Sequence, residues 1–252
     1  TGKTYNAIER LKQSEKGVYL APLRILALEN FERLNREGVP CNLITGEEEI
    51  YTEGASHVSS TIEKLDIDKY YDVAVIDEIQ MIGNSQRGQA WTRAVLGIQS
   101  PEVHVCGAAN SKELLLRIIE DCNDEVEVIN YTRDTPLKII NKVFELKHAE
   151  RGDALVVFSK KRVLEIAKLF RERGRRTSVI YGDLPPEVRR MQYDAFLSGE
   201  SEILVTTDAI GMGVNLPIKR IIFMDIQKFD GEEVRFLTSQ EIKQIAGRAG
   251  RK

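Results

Sequence analysis

The chain has 252 residues, enough for two domain cores, and its 42% hydrophobic and 30% charged residues are the balance of a globular protein. No run of about 18 apolar residues occurs, so neither a membrane-spanning helix nor a membrane partner is expected. The formal net charge of −3 excludes binding of nucleic acid through overall basicity, and any such contact must be local.

Along the chain, strands and helices alternate. Thr1-Gly2-Lys3-Thr4 has the form of the tail of a G-x-x-x-x-G-K-[ST] phosphate loop, with Tyr5 to Leu11 as the helix that follows it. Gly17 to Ala21 reads as a buried strand. Ile25 to Arg36 reads as a helix, with apolar residues near helical spacing and Gly38 just past its end. Val73 to Ile76 and Val103 to Cys106 are further buried strands. Asn110 is placed to cap a helix, with Glu113 as its capping-box partner. Val126 to Ile129 reads as the last strand of the first half.

The pattern then restarts. Leu137 to Phe144 is strand-like, Ala154 to Phe158 is a strongly apolar strand, and a basic helix runs from Lys161 to Arg173, stopping at Gly174. Next come a strand at Ser178 to Tyr181, a helix opening at Pro185-Pro186, and strands at Ile203 to Val205 and Ile221 to Phe223. Such alternation predicts α/β architecture with parallel sheets flanked by helices. The domains are expected at residues 1–129 and 130–252. A phosphate loop follows a strand, so the first domain is expected to lack that strand and the start of its loop. Cys41, Cys106 and Cys122 are an odd number without C-x-x-C spacing, which predicts reduced thiols in a reducing compartment.

Three motifs carry chemistry. In Gly2-Lys3-Thr4, Lys3 is placed to reach the β- and γ-phosphates and Thr4 to hold Mg²⁺. The helix behind them presents its positive end to the same anion. Asp77-Glu78 closes an apolar strand, where open α/β sheets put their binding crevice. There Asp77 suits holding Mg²⁺ through its shell of waters, Glu78 suits polarising the attacking water, and Gln80 would sit beside the γ-phosphate. Gln244-Ile245-Ala246-Gly247-Arg248-Ala249-Gly250-Arg251 puts Arg248 and Arg251 in place to stabilise charge during phosphoryl transfer, worth ~10³–10⁵ in rate. Gln244 lies one turn before Arg248. These arginines are far from Lys3 in sequence, so the nucleotide is expected in a cleft between the two domains.

Thr206-Thr207-Asp208-Ala209-Ile210-Gly211-Met212-Gly213 follows a strand. Gly211 and Gly213 allow close backbone approach to a phosphate or ribose, Thr206 and Thr207 suit a nucleic-acid backbone, and Asp208 suits a ribose or an arginine partner. Softer candidates for the same track are Pro22-Leu23-Arg24, Thr45-Gly46, Thr61 with Glu63, and Ser159-Lys160. Contacts of this kind go to phosphate and sugar and position a strand without reading its sequence. His57, His104 and His148 have no ligand spacing, and Trp91 reads as core.

Together these strings resemble the superfamily 2 helicases over the whole chain. More narrowly, they are similar to the RNA helicase family of the mitochondrial degradosome and its bacterial relatives. The matching strings are Val75-Ile76-Asp77-Glu78-Ile79-Gln80-Met81-Ile82 (a D-E-I-Q box), Ala90 to Gly97, Val103 to Gly107, Val179 to Pro186, Thr207 to Leu216 and Gln244 to Arg251. The resemblance implies two tandem RecA-like domains, ATP and Mg²⁺ as cofactors, and 3′→5′ unwinding of single-stranded or partly duplex RNA, with DNA as a further candidate. An exoribonuclease partner is also implied. Relative to that family the chain is truncated at both ends. The implied compartment is a bacterial cytoplasm, or the mitochondrial matrix for a eukaryotic source. The competing readings are an ATP-driven translocase on duplex DNA or protein, and a non-catalytic binding module.

Overall fold

A computed structural model describes residues 2–132, 136–211 and 215–250. The chain divides into two compact units, Thr1–Arg133 and Asp134–Lys252.

In the first unit, helix α1 (Lys3–Leu11) leads into strand β1 (Gly17–Ala21) and helix α2 (Arg24–Arg36). Strands β2 (Cys41–Ile44), β3 (Glu49–Ile50), β4 (His57–Thr61) and β5 (Val73–Ile76) follow. Helix α3 (Gly88–Gly97), strand β6 (Glu102–Val105) and helix α4 (Lys112–Asp121) complete it. The sheet order is β3-β2-β4-β1-β5-β6, parallel except for β3. Alternation along each strand splits the core in two. Tyr19, Ala21, Val73 and Val75 face α1 and α2 with Ala7, Leu11, Ala27 and Leu34. Val18, Leu20, Ala74 and Ile76 face α3 with Trp91 and Ala94.

The second unit holds strand β7 (Asp153–Val156), helix α5 (Lys160–Glu172), strand β8 (Thr177–Ile180), helix α6 (Pro186–Leu197) and strands β9 (Ile203–Thr206) and β10 (Arg220–Phe223). These four strands form an all-parallel sheet in the order β10-β7-β9-β8. An antiparallel hairpin of β11 (Gln227–Phe229) and β12 (Val234–Phe236) precedes helix α7 (Ser239–Ala246). The α5 stripe Val163, Ile166, Ala167 and Phe170 packs on Leu155, Val157, Ile203 and Val205.

The expected α/β alternation with parallel sheets is therefore observed, and most expected elements lie within a residue or two of their places. Four expectations fail. Val103 to Cys106, expected as a buried strand, overlaps the edge strand β6, where Val103 is exposed because a neighbour covers only one side of the strand. Residues 126–129 form no strand: Val126, Val128 and Ile129 are exposed, and strand-forming residues without a neighbouring strand have no ladder to join. Residues 137–144 are irregular for the same reason, with Ile139 and Val143 each 93% exposed. Asn110 does not cap α4. It lies inside a 3-10 turn, Ala109–Ser111, and Ser111 takes the position before the helix without a side-chain cap.

Two buried strands escaped the hydropathy pattern. β4 is polar, yet Ser59 and Ser60 are buried because their hydroxyls donate to Ala27 O at 2.7 Å and Ile44 O at 2.9 Å. β2 is short, with alternating burial. Helix α7, not among the elements expected from the sequence, opens on a capping box: Thr238 N donates to Glu241 Oε2 at 2.7 Å and Glu241 N to Thr238 Oγ1 at 3.2 Å.

Trp91, the only tryptophan in the sequence, is fully buried and donates its indole N–H to Asp77 O at 3.0 Å. Trp91→Ala opens a cavity and strands that carbonyl, so the first unit should lose about 3–5 kcal/mol. Urea denaturation followed by far-UV circular dichroism reads the loss as an earlier transition.

Candidate functional site

In a parallel sheet every strand ends on the same edge. In the first unit that edge gathers, across the sheet, Thr45 after β2, Thr61 closing β4, Pro22 after β1, Asp77 after β5 and Gly107 just beyond β6. In the second it gathers Ser159 beyond β7, Thr206-Thr207 at the end of β9 and Tyr181 after β8.

Asp77 is the centre of the first cluster. It is 5% exposed. Oδ1 accepts from Thr4 Oγ1 at 3.1 Å and from the Glu78 amide at 2.9 Å, and Oδ2 accepts from the Tyr19 hydroxyl at 3.0 Å. Burial, with the charge of Glu78 adding to it, pushes the Asp77 carboxyl up to about 6 despite these three hydrogen bonds. Lys3 donates to Gly107 O at 2.6 Å. Gly2, at φ 107, precedes α1 in the left-handed conformation that glycine adopts without strain, and no side chain caps the helix. The amides of the first turn therefore remain available to an anion.

Glu78 is one of the two described non-glycine residues at positive φ, at φ 51 and ψ 47. Such a conformation costs of order 1–3 kcal/mol and persists where the surroundings fix it. Here Ile79 N donates to Cys106 O and Met81 N to Glu78 O, both at 2.9 Å. Gln80 donates through Nε2 to Glu78 Oε2 and accepts from the Ala108 amide at 3.0 Å. The D-E-I-Q turn is thus tied to the loop after β6. Gly107 must lack a side chain, because a Cβ there would overlap Ile79 Cγ2 and lie 2.9 Å from Gln80 Oε1.

These residues fit a magnesium nucleotide. Thr4 and Asp77 offer two hard oxygen donors in contact, the donor type Mg²⁺ takes, and a cation there would relieve the buried charge of Asp77. Lys3 and the α1 amides suit phosphate. Tyr19 was missed by sequence reasoning, because a tyrosine in Gly17-Val18-Tyr19-Leu20-Ala21 reads as packing.

The softer candidates differ in what remains free. Arg24 is engaged by Glu47 at 2.9 Å and Glu48 at 2.7 Å. Thr45 is buried, its hydroxyl donating to Glu48 O at 3.0 Å. Pro22 O accepts from Arg87, which also pairs with Glu63 at 2.7 Å. Leu23 is the residue before α2, Thr61 is 9% exposed and Gly46 is exposed.

In the second unit Ser159 caps α5, accepting from Arg162 N at 3.2 Å, and the Lys160 ammonium lies 5.2 Å from the Tyr181 ring centroid. The Thr206 hydroxyl is buried and donates to Thr207 O at 3.0 Å, and Thr207 Oγ1 accepts from the Ala209 amide at 3.3 Å.

Arg248 is 6% exposed, with Nε at 3.1 Å and Nη2 at 2.6 Å from Gly211 O, where Gln244 Nε2 also donates at 3.5 Å. Its guanidinium is thus held inside this unit rather than presented on its surface. Within its unit Asp208 is paired with a lysine instead of an arginine. Lys228 of the hairpin pairs with it at 3.1 Å and also meets Glu241 at 2.6 Å. Hydrogen bonds from Arg235 and Lys228 hold the Glu241 carboxyl well below the usual carboxylate range against the effect of burial. Gly213 and Arg251 lie outside the described residues.

Parallel α/β units with a lysine, a threonine and an acidic pair gathered at one sheet edge define the RecA-like class of nucleotide-driven motors. Residues 1–131 match the DEXQ-box helicase domain of Suv3, and residues 135–252 match the helicase conserved C-terminal domain. Among curated proteins, the chain is 49% identical over 255 residues to the mitochondrial DExH-box ATP-dependent RNA helicase DExH16 of Arabidopsis thaliana, covering 100% of this chain and 45% of that protein. It is 42% identical over 259 residues to the mitochondrial ATP-dependent RNA helicase SUV3 of Saccharomyces cerevisiae, covering 100% and 35%. Among solved structures it is similar to S. cerevisiae Dbp5 bound to RNA and ADP BeF3, with TM-score 0.67 and 15% identity over 100% of this chain and 73% of that one. At that identity the likeness shows the fold, tandem RecA-like domains. The chain belongs to the Suv3-type DEXQ-box helicase family. It spans less than half the length of these two curated relatives.

Two outcomes follow from this geometry. The folded Asp77 carboxyl titrates near 6, above an unfolded value of 3.8, so the folded state holds the extra proton between them. The nucleotide-free first unit therefore loses stability as pH rises from about 4 to about 6. Asp77→Asn, which carries no charge, should exceed the native protein in stability by about 1–3 kcal/mol above pH 6 and match it below pH 4, as read by urea midpoints in EDTA. Gly107→Ala should displace the D-E-I-Q turn and lower the stability of the first unit by about 1–3 kcal/mol, read as an earlier urea midpoint, while far-UV circular dichroism before the transition stays native.

Proposed function

We propose that this chain is the ATP-hydrolysing core of an RNA helicase. The observation that carries the reading is the contact of Thr4 Oγ1 with Asp77 Oδ1 at 3.1 Å, beside Lys3 and Glu78. Lys3 and the α1 amides bind the phosphates, and Gly2 lets the backbone approach them. Thr4 and Asp77 would hold Mg²⁺, which when bound would neutralise phosphate charge. Glu78, fixed by the turn and by Gln80, orients and polarises the attacking water. Arg248 and Arg251 stabilise the charge that develops in transfer, with Gln244 beside them. For Arg248 that role requires the guanidinium to leave Gly211 O, so its present contact is a resting one. Asp208 and Gly211 lie on the same sheet edge as Thr206 and Thr207 and, with Gly213, serve nucleotide or nucleic-acid backbone.

The substrate reading rests on the relatives, which are named ATP-dependent RNA helicases. RNA, unwound 3′→5′, is the proposed track, with the edge residues Pro22, Leu23, Arg24, Thr45, Gly46, Thr61, Glu63, Ser159, Lys160, Thr206 and Thr207 along it. Several of these side chains are engaged internally, and the Thr45 and Thr207 amides also donate within their units, to Glu48 O at 2.9 Å and Ile180 O at 3.0 Å, so contacts at those positions require an exchange of partners on binding. Charge distribution supports the reading. Thr1–Arg133 has 14 Lys and Arg against 22 Asp and Glu, whereas Asp134–Lys252 has 22 against 17. The overall acidity thus belongs to the first unit, and the second offers net positive charge to a phosphate backbone. RNA turnover with an exoribonuclease partner belongs to the same proposal. The mitochondrial names of the relatives favour the mitochondrial matrix over a bacterial cytoplasm.

The test is ATP hydrolysis by the intact protein, alone and with single-stranded RNA or DNA of equal length. RNA should stimulate more than DNA, and Glu78→Gln should remove about 10²–10⁴-fold of the stimulated rate. Hydrolysis indifferent to both polymers would count against a nucleic-acid motor.

A further inference from the structure

β1 is an apolar strand between β4 and β5, and its middle residue carries the one hydroxyl in it. Tyr19 is 3% exposed, and its ring packs in the cluster that holds Ala7, Leu11, Ala27 and Val75. Phenylalanine would fill that space with no polar atom to satisfy. A buried hydroxyl costs free energy unless it is hydrogen-bonded, and this one donates to Asp77 Oδ2 at 3.0 Å. Tyr19 sits opposite Val75 in the register of β1 and β5. Its phenol therefore reaches two residues further along the neighbouring strand, to the residue just past that strand's end.

The consequence is a division of labour between the two oxygens of one carboxylate. Oδ2 is held from inside the sheet by Tyr19. Oδ1 faces Thr4 Oγ1 and the Glu78 amide. A carboxylate held at one oxygen cannot turn about its Cβ–Cγ bond without breaking that bond, so Oδ1 stays beside the threonine. Groups that orient a metal ligand in this way typically change metal affinity by about 10–100-fold when removed.

We propose that Tyr19 is a positioning residue of the divalent-cation site, holding Asp77 so that Oδ1 and Thr4 Oγ1 serve one cation. The inference rests on the magnesium-nucleotide reading given above. Its reach is a specific defect: loss of the phenol hydroxyl weakens the coupling between cation and nucleotide and leaves nucleotide binding in the absence of cation as it was.

The experiment is a Mg²⁺ titration of the intact protein with a fluorescent ATP analogue at fixed concentration, on native, Tyr19→Phe and Tyr71→Phe proteins. Tyr71 is a second buried tyrosine of the same unit, packed on the opposite face of the sheet, and controls for loss of any buried hydroxyl. For Tyr19→Phe the half-saturating Mg²⁺ concentration should rise about 10-fold. Analogue binding in EDTA should be unchanged, and hydrolysis should recover as Mg²⁺ is raised. Tyr71→Phe should titrate as the native protein does. A Tyr19→Phe protein with the native Mg²⁺ midpoint, whether or not its unfolding midpoint in EDTA falls, would overturn the positioning role and leave the nucleotide site standing. A native protein whose analogue binding ignores Mg²⁺ would overturn both.

Discussion

Every polar atom of Asp77 is taken up by a different part of the first unit. Its amide donates to Leu20 O on β1, its carbonyl accepts from the Trp91 indole on α3, Oδ1 accepts from Thr4 on α1 and from the next amide, and Oδ2 accepts from Tyr19. A carboxylate out of water is tolerated only with such partners. Strand, both flanking helices and turn are therefore fixed relative to one another by a single residue. The hydrogen bonds do not fully offset the burial, as the raised carboxyl shows. What is left over is an affinity for positive charge, which is the property a phosphate-and-cation site needs.

The acidic turn beyond Asp77 shows the same economy. Glu78 adopts a conformation disfavoured for a glutamate, and it is held there by backbone hydrogen bonds to the loop after β6 and by Gln80. Gly107 is small because that loop presses on the turn. Strain here is local and its cause is visible: two loops at adjacent strand ends touch, and their contact fixes the turn.

The second unit is organised around a backbone atom instead. Gly211 O collects Arg248 and Gln244, which ties the loop after β9 to the end of α7. The N-terminus of α7 is held by Glu241, which caps it and meets Lys228 and Arg235 of the hairpin. With Asp208 joined through Lys228, motif loop, hairpin and arginine helix form one charged assembly. The hairpin accordingly turns its charged residues inward and leaves Phe229, Val234 and Phe236 exposed, the reverse of what hydropathy alone would assign.

By itself, the sequence determined the alternation of strands and helices, the apolar strands Gly17–Ala21 and Val73–Ile76, and the identity of the lysine, threonine and acidic pair. These are local properties: side-chain period, glycine placement and short motifs whose spacing follows from the chemistry of phosphate. It misassigned residues 126–129 and 137–144 because strand propensity says nothing about whether a neighbouring strand exists. It passed over β4 because buried serines look exposed until their acceptors are known. Only the tertiary structure decided that Tyr19 reaches Asp77, that Lys228 rather than an arginine takes Asp208, and that Arg248 lies against Gly211. Each of these joins residues on separate elements, and which of them meet is set by sheet order and register, quantities that no single stretch of chain carries.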